Sequence, residues 1–140
     1  MKTVDPIAEQ LPAILATLPQ DTPITMLNFL RFHDTAQYKE NSGADNNSAC
    51  SGRDAYARYA EIAMRKVIEV GGHPLYVGRV AAQLIAPSDE VWHEVILIRY
   101  PNLAAFSRML MMPDYRAATK HRTAALDDAR LIATVERKLV

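Results

Sequence analysis

Residues Val91–Tyr100 read VWHEVILIRY and decide the fold, together with Ile24–Phe32, which read ITMLNFLRF. In each run, large apolar residues occupy both odd and even positions. A strand with one face in water instead alternates apolar and polar residues. The pattern therefore predicts two strands at the centre of a sheet, each covered on both faces.

The segments around these two runs predict one layer of strands and one of helices. Apolar residues recur at helical spacing from Tyr56 to Val67, behind a capping box at residues 51–54, and the glycines at 71 and 72 end that helix. The connection at residues 87–90 is short enough for a hairpin, and Pro113 ends a helix that Asn102 can cap. In chain order the further predicted elements are a helix that begins after Ser51, a strand at Leu75–Ala86, a helix from Asn102 to Pro113, a short helix from Asp114 to about Leu126 and a strand at Arg130–Lys138.

The order β-α-β-β-α-β is that of a ferredoxin-like α+β domain, in which the first and third strands are central. Helices cover only one face of such a sheet, yet both central strands are apolar on both faces. A second copy of the same sheet is the simplest cover for the other face. We therefore expect a homodimer, with the chain itself as its partner.

Two segments lie outside this plan. Residues 1–22 are expected to form an N-terminal helical extension that begins at Asp5–Pro6, unless Pro12 kinks the helix or delays its start. Residues 33–52 form a polar, Asn/Ser/Gly-rich loop insertion without periodicity, which is either mobile or a lid. With these additions, residues 1–140 are expected to form a single domain.

The totals exclude several kinds of partner. The chain has 140 residues, and its 16 basic residues balance its 16 acidic ones, so no net field recruits nucleic acid or an anionic membrane. No apolar run has the length of a signal peptide or of a membrane span. We expect a cytoplasmic protein that binds neither nucleic acid nor membrane.

Several segments together resemble the domain-of-unknown-function family thirteen-thirty, which belongs to the dimeric α+β barrels. The resemblance covers about residue 22 to the end and implies a ferredoxin-like subunit, a dimer, and a cavity between sheet and helices or inside the barrel. It implies no single activity, because related barrels include cofactor-free monooxygenases, lactone isomerases, haem-degrading enzymes and proteins with no known reaction. The segments that carry it are Pro23–Phe32, the Tyr-x-x-Tyr helix at Tyr56, Gly71-Gly72, Trp92–Pro101, Met109–Tyr115 and His121-Arg122.

Three polar residues on the central strands are candidate catalytic residues. Asn28, in an apolar strand, either hydrogen-bonds to a neighbouring group or lines a pocket as a donor. Strand alternation places His93 and Arg99 on one face, and Glu94 with Trp92 on the other. A histidine could serve as a general base and an arginine could hold a carboxylate or enolate oxygen, while the alternative is an ion pair at the sheet rim.

Aromatic residues and one arginine are candidates for binding a flat, partly polar ligand. Tyrosines at helical spacing are also common core residues. Arg122 lies about two helical turns after Tyr115 and could reach the same cavity, or it could pair with Asp127 or Asp128. The candidate ligand-binding residues are Tyr56, Tyr59, Trp92, Tyr115 and Arg122.

Three broad functions remain, and the first two need no cofactor. The four histidines have no metal-binding spacing, and no glycine-rich phosphate loop is present, so we expect no metal and no nucleotide. One hypothesis is a cofactor-independent enzyme, of oxygenase or isomerase type, acting on a small cyclic or aromatic molecule between Asn28, His93, Tyr59 and Arg99. The alternative is a non-catalytic small-molecule-binding or interaction module. A haem-degrading role is a third, although residues 102–112 contain no histidine.

Overall fold

The computed structural model describes residues 1–39 and 50–139. After one short helix, the order of elements is β-α-β-β-α-β with the second helix in two pieces, so the predicted ferredoxin-like order is confirmed. The elements are α1 (Leu11–Leu15), β1 (Ile24–Phe32), α2 (Gly52–Glu69), β2 (His73–Arg79), β3 (Glu94–Tyr100), α3 (Leu103–Met111), α4 (Pro113–Ala125) and β4 (Leu126–Thr134).

The strands form one antiparallel sheet in the order β2-β3-β1-β4. The two strands that are apolar on both faces, β1 and β3, therefore lie at the centre, as their sequences predict. The register pairs Asn28 with Ile96 on one side and with Leu131 on the other, which places Asn28 in the middle of the sheet.

The two faces of the sheet have different environments. The helix face packs against helices, with Ile24 and Leu30 on β1 fully buried and Ile96 and Ile98 on β3 also in the core. We call the opposite side the open face, and neither β1 nor β3 buries an apolar side chain there. Its half-buried apolar residues are Leu27, Phe29, Val95 and Leu97. Paired residues of antiparallel strands share a face, so Arg99, Arg130 and Ile132 also belong to the open face.

The helix boundaries follow the predicted capping signals. The Ser51 hydroxyl accepts from the Asp54 N–H at the start of α2, and the Asn102 side chain accepts from the Ala105 N–H at the start of α3. Gly71 follows α2 with a φ of 88°, a left-handed conformation that glycine adopts without steric cost. Pro113 ends α3 and begins α4, where its missing N–H is not needed.

The connection between β2 and β3 is longer than predicted. β2 ends at Arg79 and β3 begins at Glu94, so the predicted strands Leu75–Ala86 and Val91–Tyr100 both extend too far toward the connection. Backbone bonds hold the two ends of residues 80–93, from the Val80 N–H to the His93 carbonyl and from the His93 N–H to the Leu30 carbonyl. Between these ends, Gln83 donates to the Glu90 carbonyl and accepts from the Trp92 N–H, both at 2.7 Å. We call residues 80–93 the arm.

The last strand begins at Leu126 and ends at Thr134, whereas the predicted strand spans Arg130–Lys138. Its final pair joins Thr134 to Thr25, next to the first residue of β1. The alternating pattern continues beyond Thr134, but the pairing with β1 does not.

The N-terminal extension is helical over Leu11–Leu15, so the helix does not begin at Asp5–Pro6 but at Leu11, with Pro12 in its first turn, which is the delayed start left open for it. The Thr3 carbonyl instead accepts from the Ala129 N–H, which lays the first residues along β4. Ile7 and Ile14 are 56% and 55% exposed, whereas Leu15 and Leu18 pack against the core, so only part of the apolar spacing finds a partner.

The predicted loop insertion at residues 33–52 is described only in part. Residues 33–39 and 50–51 form neither helix nor strand. Residues 40–49, and with them the predicted lid, lie outside the described residues. No helix within residues 1–39 and 50–139 is long and apolar enough to cross a membrane.

Candidate functional site

A pocket lies on the helix face, between α2 and the part of the sheet formed by β2 and β3. Its volume is about 370 Å³, which is within the range of small-molecule sites. Arg53 and Glu94 are its charged residues. The apolar and aromatic walls include Phe32, Tyr56, Ala60, Met64, Val77 and Ile96. We call it the helix-side pocket.

Glu94 and Arg53 form the polar part of this pocket. The Glu94 Oε2 lies 3.8 Å from the Arg53 Nη1, and the side chains are 22% and 54% exposed, so the carboxylate lies deeper than the guanidinium. Burial raises the pKa of the Glu94 carboxyl, and Arg53 opposes this only in part. The arrangement provides a carboxyl group whose pKa is shifted toward neutrality, next to a permanent positive charge.

Arg53 reaches this position because of how α2 begins. The Gly52 N–H donates to the His33 carbonyl at 3.1 Å, and the His33 N–H donates to the Ala125 carbonyl at 2.9 Å. These bonds join the start of α2 to the end of β1 and the end of α4. The Arg53 guanidinium then lies over the Phe32 ring, 4.7 Å from its centroid, which holds it by cation–π attraction.

The three candidate tyrosines come together on the helix side. The Tyr59 and Tyr115 hydroxyls are 2.8 Å apart, and the Tyr56 and Tyr59 ring centroids are 5.3 Å apart. Burial holds the pKa of Tyr56 and Tyr59 well above the usual range, so both phenols keep their protons. Tyr56 lines the helix-side pocket, while Tyr59 and Tyr115 bond to each other between α2 and α4.

His93 lies beside the pocket. Its Nδ1 accepts from the Phe32 N–H at 3.0 Å, and its ring stacks on Phe32 at an interplanar angle of 13°. Burial, followed by the charges of Arg53 and Arg31, lowers the pKa of His93. A neutral ring that accepts at Nδ1 carries its proton on Nε2, so it can donate a hydrogen bond but is poorly placed to act as a base.

The structure does not bring Asn28 and Arg99 together. Asn28 lies on the helix face, and its side-chain Nδ2 donates to the Ile96 carbonyl at 3.3 Å, which is the structural alternative considered for it. Arg99 is exposed on the open face, paired with Thr25 and His73. The sheet itself therefore separates these two candidate catalytic residues.

Trp92 is placed differently from expectation, and Arg122 has a different ionic partner from the two considered for it, although its charge acts on Tyr56 and Tyr59. Because β3 begins only at Glu94, strand alternation does not extend to Trp92. Its ring lies on the open face, with its centroid 5.9 Å from that of Phe29. The Arg122 Nη1 donates to the Val4 carbonyl at 2.7 Å and lies 3.7 Å from the Asp5 carboxylate, so its ionic partner is Asp5 rather than Asp127 or Asp128.

Sequence reasoning missed the role of Arg53 and left Glu94 out of the candidate site. The sequence did contain one signal for Glu94, because strand alternation places it on the same face of β3 as Ile96 and Ile98. Arg53 has no comparable signal, because its position depends on how α2 docks. Within the described part of the chain, no three His, Cys, Asp or Glu residues are grouped so that they could hold a metal ion.

Comparisons with known proteins agree with the fold. Residues 46–135 match the family described as Domain of unknown function (DUF1330). No curated protein gave a significant match. A protein of unknown function from Rhodopseudomonas palustris is 34% identical, with a TM-score of 0.86, covering 99% of this chain and 99% of that chain.

More distant structures share the fold alone. A dabb family protein with a ferredoxin-like fold from Mesorhizobium loti is 15% identical, with a TM-score of 0.51, covering 83% of this chain and 98% of that chain. A hydroxynitrile lyase from Passiflora edulis is 10% identical, with a TM-score of 0.53, covering 86% of this chain and 98% of that chain. With the family match over residues 46–135, these results show that the chain belongs to the DUF1330 family and has a ferredoxin-like α+β fold.

Proposed function

We propose that this protein is a cofactor-independent enzyme of isomerase type, which moves a proton on a small, mainly apolar cyclic or aromatic molecule in the helix-side pocket. One observation carries the proposal: a half-buried carboxyl with a raised pKa, Glu94, lies in an apolar pocket beside the guanidinium of Arg53.

The pocket walls favour a flat and largely apolar ligand. The volume of about 370 Å³ admits a small molecule. The rings of Phe32 and Tyr56 meet edge to face at 5.5 Å between centroids and form one wall. The protonated phenol of Tyr56 adds a hydrogen-bond donor, so the ligand is expected to carry at least one oxygen.

Glu94 and Arg53 suit proton transfer next to a carbonyl group. A carboxyl with a raised pKa is a stronger base than an ordinary carboxylate and can also return the proton. In the proposed reaction the Glu94 carboxylate removes a proton from the carbon beside the carbonyl. The electron pair moves onto the carbonyl oxygen, which Arg53 stabilises as an enolate. Glu94 then returns the proton at the far end of the conjugated system, which completes an isomerisation without oxidant or cofactor.

The other candidate residues have supporting positions in this proposal. His93 stacks on Phe32 and so positions one wall of the pocket. Asn28 bonds to the carbonyl of Ile96, a pocket residue, and is therefore assigned a structural role. Arg99 faces away from the pocket and is given no part in the reaction.

We also propose that the protein is a homodimer joined through the open faces. That face exposes part of four apolar side chains on the two central strands, Leu27, Phe29, Val95 and Leu97. Apolar patches of this kind in soluble proteins commonly mark an interface, and two-fold pairing is the commonest way to cover one.

The test combines a mass measurement with a reaction. Native mass spectrometry, repeated under denaturing conditions, gives the oligomeric state and the mass of any bound small molecule. As a defined probe, 3-cyclohexenone contains a proton next to a carbonyl and becomes a conjugated ketone when that proton moves, which ultraviolet absorbance detects. The protein should accelerate this conversion. The product should carry deuterium from D₂O only to the extent that the partly exposed Glu94 carboxyl exchanges its proton with solvent before returning it.

Matched variants assign the chemistry to the pocket. Glu94→Gln should abolish the conversion, because an amide cannot take the proton, while its melting temperature stays near that of the parent protein. Glu61→Gln removes an exposed carboxylate of α2, 78% exposed, and should leave the rate unchanged. Binding of the probe without conversion would instead identify a non-catalytic binding module. Equal rates for Glu94→Gln and the parent protein would contradict the proposed base.

A further inference from the structure

Tyr38, Arg58 and His121 form a hydrogen-bonded cluster outside the helix-side pocket, and we call it the phenol cluster. The Tyr38 Oη lies 2.6 Å from the His121 Nδ1, and the Arg58 Nη1 donates to the Tyr38 Oη at 3.2 Å. The Arg58 guanidinium also lies 5.9 Å from the centroid of the Tyr38 ring. None of the three residues lines the helix-side pocket, so the proposed isomerisation gives this cluster no role.

Backbone and core contacts hold Tyr38 beside α4. The N–H of its neighbour Gln37 donates to the Ala124 carbonyl at 2.8 Å. Ala124 and His121 are three residues apart on α4, so they lie on the same side of that helix. The Tyr38 side chain also packs partly against the hydrophobic core. The phenol is therefore held in a defined position next to His121.

The hydrogen-bonding capacity of the three groups decides where the Tyr38 proton lies. Arginine donates and never accepts, so the phenol oxygen accepts from Arg58 and its own proton is available for the His121 Nδ1. Burial, followed by the charges of Lys120 and Arg58, lowers the pKa of His121, so the ring is mainly neutral at pH 7 and its Nδ1 can accept. The phenol proton thus points at a base, and the phenol oxygen faces a permanent positive charge.

This arrangement is typical of an activated nucleophile. A hydroxyl within hydrogen-bond reach of a base loses its proton as it attacks, and a neighbouring cation stabilises the charge that develops on the oxygen. The case of His93 is different, because its Nδ1 accepts from a backbone N–H, which is not a nucleophile. Tyr38, Arg58 and His121 are each partly exposed, so a small reagent can reach the cluster.

We propose that Tyr38 is a modification site, at which the phenol takes an acyl group from an activated acyl donor, with His121 as the base and Arg58 as the stabilising cation. The phenol oxygen attacks the carbonyl carbon of the donor and forms an ester bond, while its proton passes to the His121 Nδ1. The bond from that carbon to the leaving group breaks, and the leaving group departs with the electron pair. His121 then gives the proton to the leaving group or to solvent. The reaction needs neither an oxidant nor the helix-side pocket.

The test uses p-nitrophenyl acetate, an acyl donor with a good leaving group, and peptide mass spectrometry to locate each acetyl group over time. Tyr76 is the internal reference. It is more exposed than Tyr38, at 59%, so exposure alone would make Tyr76 react faster. In the parent protein Tyr38 should instead be acetylated about a hundredfold faster than Tyr76, which is a typical effect of a positioned base.

Variants of the cluster assign this rate to its members. His121→Gln removes the base and should slow the acetylation of Tyr38 by about a hundredfold, to near the rate of Tyr76. Arg58→Gln removes the cation and should slow it by about tenfold or more, whereas Arg58→Lys keeps a positive charge and should slow it less. Arg65→Gln is the matched control, because Arg65 is an arginine of the same helix that is 70% exposed, and it should leave the rate unchanged.

The outcomes either support or overturn the modification site. Faster acetylation at Tyr38 than at Tyr76, lost in His121→Gln and kept in Arg65→Gln, would support it. Equal rates at Tyr38 and Tyr76 in the parent protein would overturn it, and so would an acetyl group on Cys50 or His121 in place of Tyr38. A loss of the same size in Arg65→Gln would also overturn it, because the rate would then not depend on the cluster.

A variant that fails to fold is recognised in the same experiment. Tyr56 is 9% exposed and should stay unmodified in a folded protein, so its acetylation reports unfolding. If His121→Gln unfolds, the comparison of Arg58→Gln with Arg58→Lys decides the question. Equal rates of Tyr38 acetylation in these two variants would overturn the proposed role of the charge and with it the modification site.

Discussion

Adding a single methyl group at Gly52 is expected to lower the stability of the protein strongly. A Cβ atom added there would lie 2.3 Å from the His33 oxygen and 2.6 Å from the Ala125 oxygen, both backbone atoms. The φ of Gly52 is not positive, so the backbone conformation itself is available to alanine. The expected loss is therefore purely steric.

The magnitude follows from the distances. To restore ordinary contact, the first turn of α2 must move by about 1 Å, against a packing cost of about 3 kcal/mol. The shift also strains the hydrogen bond from Gly52 N–H to the His33 carbonyl, worth about 1 kcal/mol, while alanine in the helix regains about 1 kcal/mol. Gly52→Ala should therefore destabilise the protein by about 3 kcal/mol, which lowers Tm by about 6–12 °C for a domain of this size.

Gly78→Ala is the matched control. A Cβ atom there would also come within 2.5 Å of a neighbour, but that neighbour is the end of the Tyr76 side chain, which is 59% exposed and can rotate away. Its unfolding free energy should stay within about 1 kcal/mol of the parent value. Urea denaturation followed by circular dichroism measures both variants. The reasoning would be refuted if Gly52→Ala were as stable as Gly78→Ala.

Three further changes test other parts of the structure. Tyr59→Phe removes the hydrogen-bond partner of the Tyr115 hydroxyl and should lower the free energy of unfolding by about 1–3 kcal/mol. Tyr115→Phe should destabilise the Tyr59→Phe variant less than it destabilises the parent protein. A double-mutant cycle with no coupling would contradict this. Asn102→Ala removes the acceptor for the Ala105 N–H and should cost about 1 kcal/mol in urea denaturation, whereas Asn102→Asp should not; equal losses would argue against the cap. Burial and the charges of Arg53 and Arg31 lower the pKa of His93, so the unfolded chain takes up this proton at a higher pH than the folded one. The stabilisation that the neutral His93 ring provides is therefore present above about pH 6.5 and is lost as the pH falls through the lowered pKa of His93. His93→Gln should reduce the loss of stability between pH 7 and pH 5, leaving the part due to His121, whose pKa is also lowered; an unchanged pH dependence would count against it.

Much of the fold could be predicted because its signals are local. The strand Ile24–Phe32 has the predicted bounds, and α2 follows its predicted cap at Ser51. The errors in the bounds of the other three strands have a common cause. Alternation identifies residues able to form a strand, but it does not say where pairing with a neighbouring strand stops, as it does at Thr134 and at Glu94.

Of the candidate residues chosen from the sequence, Tyr56 is the one that lines the helix-side pocket. Tyr56, Tyr59 and Tyr115 do come together, because helical spacing places the first two on one face of α2 and that face packs against α4. Asn28 and Arg99 both lie on central strands, but on opposite faces of the sheet. Whether they could form one site depended on which face each side chain occupies, and that was not known from the sequence.

The sequence by itself determined the kinds of elements, their order and the presence of two strands that need cover on both faces, because periodicity, caps and breakers act within a few residues. Only the tertiary structure decided that Arg53, Phe32 and Glu94 meet in one pocket. These residues belong to three elements, and the distances between them depend on the contact of Gly52 with two backbone carbonyls, which no local pattern encodes.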